Sequence, residues 1–189
     1  RFTIDEDPGN PAASPPIPSS ITSDVLLLGT AKDTNGNIQP ITTRPELGEI
    51  SGKPWVFIGT GRLLGSPDLT DVNIQSVYGF VAESSFADST AFPDGLRGVL
   101  RPHLISPKTA SNANPAVVAT SSVSCFGSAS ECDRASGWVV DLPDDGERVN
   151  VDMALQFGTL VFASNVSRNT ACNIGGYSWF NALDFRTGL

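Results

Sequence analysis

Residues Lys53 to Gly65 read KPWVFIGTGRLLG, a β-branched and aromatic run stopped by Gly59, Thr60 and Gly61. Such runs favour strands, and the stop itself admits three readings: an active-site loop, a phosphate cradle or a plain strand end. A phosphate cradle needs GxxxxGK[ST] spacing and a helix start directly after it, and the stretch has neither. Two weaker echoes decide the matter. VFIGTG begins at Val56, VVATSS at Val117 and VFASNV at Val161, each an apolar pair followed by small residues and a hydroxyl or amide. After each comes an aromatic-rich strand: SVYGFVAE ending at Glu83, GWVVDLPDDGE with Asp141, and YSWFNALDFRTG with Asp184.

A repeated unit of about 45 to 60 residues, pairing a small-residue strand with an aromatic strand that ends in an acid, is the pattern of propeller blades. Small residues suit strands crowded around an axis, and aromatic residues pack between neighbouring blades. The expected class is therefore all-β: a partial β-propeller of about three blades over residues 24–189, with a blade pattern like that of quinoprotein dehydrogenases. Gly59 to Gly61 read as the end of a crowded inner strand. Three blades do not close a ring, since propellers use typically 4 to 8, so the remaining blades are expected from upstream sequence or another chain. With 18 glycines and 14 prolines, nothing reads as a long amphipathic helix.

Residues 1–23, RFTIDEDPGNPAASPPIPSSITS, are dense in proline, serine and glycine and read as a linker or extended arm. The chain opens on Arg1 and carries no leader of the charged-then-apolar kind, so it is expected to be a mature or cut-out portion of something longer. At 189 residues and 40% hydrophobic it is long enough to bury a core within one domain. Its net charge of -8, with no basic cluster, argues against nucleic-acid binding. The longest apolar run, around Leu26 to Gly29, is far too short for a membrane span.

Cys125 and Cys132 lie close together in CFGSASEC, a polar loop whose length permits a small disulfide ring. Such a ring points to an oxidising, extracytoplasmic compartment; two free thiols are the plain alternative. Zinc is disfavoured, because no second cysteine pair or histidine cluster completes a ligand set. Cys172 is left odd, with a partner elsewhere or as a buried thiol.

Five stretches in order, NIQPITTRPELG (Asn37 to Gly48), KPWVFIGTGRLLG, DLTDVNIQSVYGF (Asp68 to Phe80), GWVVDLPDDGERV (Gly137 to Val149) and CNIGGYSWFNALDFRTG (Cys172 to Gly188), together resemble the C-terminal β-propeller of PilY-type type IV pilus tip proteins. The resemblance implies a secreted or surface-exposed protein at the pilus tip, with no enzyme activity. It implies minor pilins as partners, and roles in pilus assembly, adhesion and attachment to host or abiotic surfaces. The family's calcium loop lies upstream of the matched part, so no cofactor is expected in this stretch.

Other constellations have plainer readings. Asp33, Asn35 and Asn37 in DTNGNIQ have the alternate spacing of a calcium loop, but Ile38 stands where that loop needs glycine and no acid occupies the twelfth position. An Asn-Gly hairpin turn explains the same letters. His103, the only histidine, comes directly after Pro102 and reads as a surface or packing residue in an extended loop; there is no GxSxG elbow to make it a catalytic base. Asp144, Asp145 and Glu147 fall in a proline-glycine turn and read as hydrated carboxylates, not as a glycosidase pair. The quinoprotein alternative lacks the adjacent cysteines common in those enzymes. The three segments joining small-residue to aromatic strands, 62–76, 123–136 and 165–176, are expected on one face, as a specificity surface or as tolerated insertions.

Overall fold

The computed structural model describes residues 28–82, 95–105, 123–125, 128–129, 136–170 and 173–189. The proline-rich arm and the strand expected at Val117 lie outside these residues. Ten strands are described: β1 (Glu46–Ile50), β2 (Lys53–Gly59), β3 (Ser76–Val81), β4 (Arg101–Ile105), β5 (Val123–Cys125), β6 (Gly137–Asp141), β7 (Glu147–Arg148), β8 (Ala154–Gln156), β9 (Thr159–Thr170) and β10 (Asn173–Asp184). They form two open sheets, so the described residues are all-β and propeller-like, with no closed ring among them.

The first sheet has the order β1-β2-β3-β6-β4-β5. Its pairs are antiparallel except β4 with β6, which run parallel. The second has the order β10-β9-β7, with β8 also on β9, and is antiparallel throughout.

The unbroken apolar runs that made β2, β3 and β6 recognisable reflect burial on both faces of the first sheet. Trp55, Phe57, Val77, Val81, Trp138 and Val140 face the second sheet and meet Val149, Met153, Leu160, Phe162 and Leu183 there. Ile58, Tyr78, Phe80 and Val139 point the other way, into a second cluster with Ala31, Leu96 and Leu100. The segment at Ala31 and the 3-10 turn Gly95–Val99 thus cover the sheet's far side.

Trp138 sits at the centre of the main core. A Cβ at Gly79 would stand 2.5 Å from its ring, and one at Gly188 likewise 2.5 Å. The indole therefore lies between two backbones that only glycine lets come this near. Tertiary contact, not local preference, places it there.

The repeat reading holds in part. β2 with β3 and β9 with β10 are the expected antiparallel pairs. Yet β3 and β6, the aromatic strands of the first two units, are hydrogen-bonded neighbours in one sheet. β2, expected to be innermost in its unit, has β1 on its other edge. Local sequence similarity records strand type; it does not say which strand a given edge will meet.

Candidate functional site: a clamped loop at the strand ends

The chain leaves β2 through Thr60 and Gly61 and returns at Ser76. The Thr60 hydroxyl accepts from the Ser76 amide (2.8 Å) and donates to the Ser76 carbonyl (3.1 Å), which closes the base of the loop. The Val149 amide donates to the Thr60 carbonyl at 2.9 Å. Gly61 sits at φ 134, and a Cβ there would run into Arg148. The Gly-Thr-Gly stop therefore ends a strand, as read from sequence, and also lets Arg148 approach the backbone.

Arg148 is 3% exposed. Its guanidinium donates to the carbonyls of Gly146 (2.9 Å, Nε), Arg62 (2.7 Å, Nη1), Asp68 (2.6 Å, Nη1) and Asp71 (2.8 Å, Nη2). A planar five-donor fork suits this arrangement, and an ammonium does not. From inside the loop, buried Asp68 accepts from the Leu64 amide (2.8 Å), the Gly65 amide (3.1 Å) and Arg62 Nε (2.8 Å). These hydrogen bonds, first the Leu64 amide and then Arg62, hold its carboxyl below the usual aspartate range against the opposing effect of burial.

The clamped loop turns apolar side chains outward: Leu64 is 80% exposed and Val72 65% exposed. Beside it, Gln39 donates to the Ile74 carbonyl (2.8 Å) and Ser76 Oγ (2.9 Å), which ties the exposed Ile38 and Ile74 to the same rim. On the other side, Asp144 accepts from Trp179 Nε1 (2.7 Å) and the Tyr177 hydroxyl (3.1 Å), joining the base of β10 to the 142–148 turn. The result is a rigid loop presenting aliphatic side chains, a geometry suited to docking a protein surface with little ordering cost.

Under the rim lies a satisfied polar network. Arg97 grips Asp141 with both Nη atoms and donates through Nε to the Lys32 carbonyl (3.1 Å). Ser76 Oγ donates to Asp141 (2.7 Å), and the Tyr78 hydroxyl bonds the Lys32 carbonyl (2.9 Å) and Gln39 Oε1. Burial, chiefly, pushes the Tyr78 phenol up to about 12. The polar atoms of the network are spent on one another, which serves to fix the strand ends.

Asp33 is buried and accepts from the Asn35 and Asn37 amides (2.8 Å each) and the Asn37 side chain (2.9 Å), so it organises the expected Asn-Gly turn with its own oxygens. Among the described residues no three His, Cys, Asp or Glu side chains converge as a metal site.

His103 lies on β4 and not in a loop, because β4 pairs with both β5 and β6; it is 2% exposed, with Nε2 2.8 Å from the Thr187 carbonyl. Glu147 is not a hydrated turn residue. It is 1% exposed on β7, bonded to Ser164 Oγ and the Asp144 amide, because the turn folds back under β9.

Cys125 closes β5. Cys132, its expected partner, and Cys172 lie outside the described residues, so the Cys125–Cys132 pairing stays an expectation.

The one-face expectation for the three segments is corrected at two points. Segment 165–176 is mostly strand, the far end of the β9–β10 hairpin. Segment 123–136 enters β6 at Gly137, which pairs with Phe80, whereas loop 62–75 ends at Ser76, which pairs with Asp141 at the opposite end of that strand. The antiparallel β3–β6 pairing forces this, since antiparallel neighbours start at opposite ends. Sequence reasoning passed over Arg148, Asp68 and Arg97; an arginine between buried Glu147 and Val149 was the one available signal.

The fold is that of a PilY-type C-terminal domain, in keeping with the resemblance read from the motifs. No family model matches the chain. A 53-residue stretch is 42% identical to the Type IV pilus biogenesis factor PilY1 homolog of Xylella fastidiosa, covering 26% of this chain and 4% of that protein. The structure matches the crystal structure of the Pseudomonas aeruginosa PilY1 C-terminal domain with TM-score 0.58 and 20% identity, over 84% of this chain and 34% of that one. The chain thus spans about a third of the solved domain and a small fraction of the curated relative. No helix among the described residues is long and apolar enough to cross a membrane.

Proposed function

We propose that the chain is the C-terminal propeller-like segment of a type IV pilus-associated protein, exposed at the cell surface or secreted at the pilus tip. In this reading it contributes to pilus assembly, adhesion and surface attachment by protein contact and not by catalysis. One coincidence carries it: a stretch strongly similar to a pilus biogenesis factor lies within a chain whose fold matches the C-terminal domain of another such protein.

The chemistry of the site supports contact over turnover. Arg148, Asp68, Arg97 and Asp141 are engaged in holding loops and strand ends. The exposed Leu64, Val72 and Ile74 supply the contact area, with minor pilins or a host or abiotic surface as counterpart, and the remaining propeller blades as structural partners.

The test is genetic. Removing the coding region for this chain from its native gene is expected to reduce surface pili and attachment. Wild-type sequence should restore both, whereas Leu64→Asp with Val72→Asp should restore neither despite normal folding. Unchanged piliation and attachment in the deletion strain would overturn the proposal.

A further inference from the structure

We propose that Asn35 is a self-modification site: its side-chain amide converts without an enzyme to aspartate or isoaspartate, and the conversion loosens the contacts that hold loop 62–75. The reaction starts when the backbone nitrogen of the next residue attacks the asparagine Cγ, so the residue that follows decides which asparagine reacts. Asn35 is the one asparagine in the chain followed by glycine. Asn37, Asn73, Asn150 and Asn165 precede isoleucine or valine, whose branched Cβ shields the attacking nitrogen.

The turn leaves Asn35 open to this chemistry. Residues 34–38 are all exposed, and a Cβ at Gly36 would meet nothing within 4 Å. The Gly36 nitrogen donates to the Asp33 carbonyl at 3.1 Å, so attack waits for the turn to open. Asp33 resists that opening, because its Oδ1 accepts from the Asn35 and Asn37 amides at 2.8 Å each.

The step balances with water alone. The Gly36 N–H gives its proton to a base, the new N–Cγ bond closes a cyclic imide, and the Cγ–Nδ2 bond breaks. The leaving nitrogen takes a proton and departs as ammonia. Water then opens the imide: cleavage of N–Cγ gives aspartate, whereas cleavage at the backbone carbonyl gives isoaspartate. In isoaspartate the main chain runs through Cβ and Cγ and is one methylene longer.

Both changes act on Asp33. The new carboxylate repels it, and the added methylene displaces Asn37, whose side chain donates to Asp33 Oδ2 at 2.9 Å. The disturbance passes to the Lys32–Ile38 bridge and to Gln39, whose amide donates across the turn to the Ala31 carbonyl at 3.0 Å. Gln39 holds the Ile74 carbonyl and Ser76 Oγ, and the neighbouring Pro40 carbonyl accepts from the Gly61 amide at 2.8 Å. Damage in the turn therefore reaches both ends of the loop. The site rests on the turn and not on the pilus role, so either can fail alone.

Peptide mapping of the folded chain, held at mildly alkaline pH, tests the chemistry. The Asn35 peptide should gain the mass of amide-to-acid conversion at least tenfold faster than the peptide with Asn73, an exposed asparagine before Ile74. Isoaspartate should be detectable in it by enzymatic methyl transfer, and Asn35→Gln should abolish both signals. Amide exchange tests the coupling: it should rise at Gln39 and Gly61 in the aged wild type and stay unchanged in equally aged Asn35→Gln. No conversion at Asn35, or conversion no faster than at Asn73, would overturn the site. Conversion with unchanged exchange at Gln39 and Gly61 would overturn its link to the loop.

Discussion

The indole Nε1 of Trp138 donates to the carbonyl of Phe185 across 3.0 Å, and this bond ties the centre of one sheet to the turn after the last strand of the other. The turn is itself capped by Asp184, which accepts from the Arg186 (2.9 Å) and Thr187 (3.0 Å) amides. Trp138→Phe keeps most of the apolar volume but orphans the Phe185 carbonyl, and is expected to cost about 1–3 kcal/mol. Trp138→Ala is expected to cost about 3–5 kcal/mol. Denaturant titration reads both, and an unchanged midpoint for the alanine variant would show that the sheets do not depend on this residue.

Arg148 is the clamp of loop 62–71. Arg148→Lys cannot reach four carbonyls in one plane and should raise amide exchange across 62–71 while β9 and β10 stay protected. Arg148→Met leaves buried carbonyls unpaired, at about 1–3 kcal/mol each, so a total loss of several kcal/mol is expected. A methionine variant as stable as wild type would mean that water replaces the guanidinium.

Two groups set the pH profile in opposite parts of the range. Burial, chiefly, depresses His103 below its ordinary 6.5, with the nearby Arg101 charge adding to this and the Thr187 carbonyl opposing it. The folded state thus prefers neutral imidazole. Its contribution is full above 6.5, declines as pH falls from there toward the folded pKa, and is flat below that. Asp68 is depressed from 3.8, so its contribution persists above 3.8 and is lost only as pH falls through the lower, folded value. Unfolding free energy against pH should show both limbs, with His103→Gln removing the upper one and Asp68→Asn the lower. A wild-type profile flat from neutrality to 3.8 would contradict the His103 assignment.

Tyr78 should stay un-ionised in the folded protein until about pH 12, since burial opposes the phenolate. In a Tyr177→Phe background the phenolate absorbance reads Tyr78 alone, the other of the two tyrosines. An ordinary tyrosine titration under folded conditions would indicate that water reaches the Lys32–Gln39–Tyr78 cluster. Tyr78→Phe should cost about 1–3 kcal/mol through the unpaired Gln39 Oε1, since Arg97 still donates to the Lys32 carbonyl.

Much of this architecture was legible in the chain of letters. The β character of VFIG, SVYGFV and GWVVD, the Asn-Gly turn after Asp33 and the strand end at Gly59 to Gly61 all derive from local backbone preference and apolar pattern, which a linear sequence carries in full. The PilY-type fold was legible too, through ordered motifs. Folding alone settled the neighbours: β6 inserts between β3 and β4, Glu147 turns inward to Ser164, and Arg148 reaches the carbonyls of a loop some eighty residues earlier in the chain. Pairing across such separations is chosen by the joint burial of two sheet faces and the pairing of every buried polar group at once, and no single segment encodes a condition that many distant segments satisfy together.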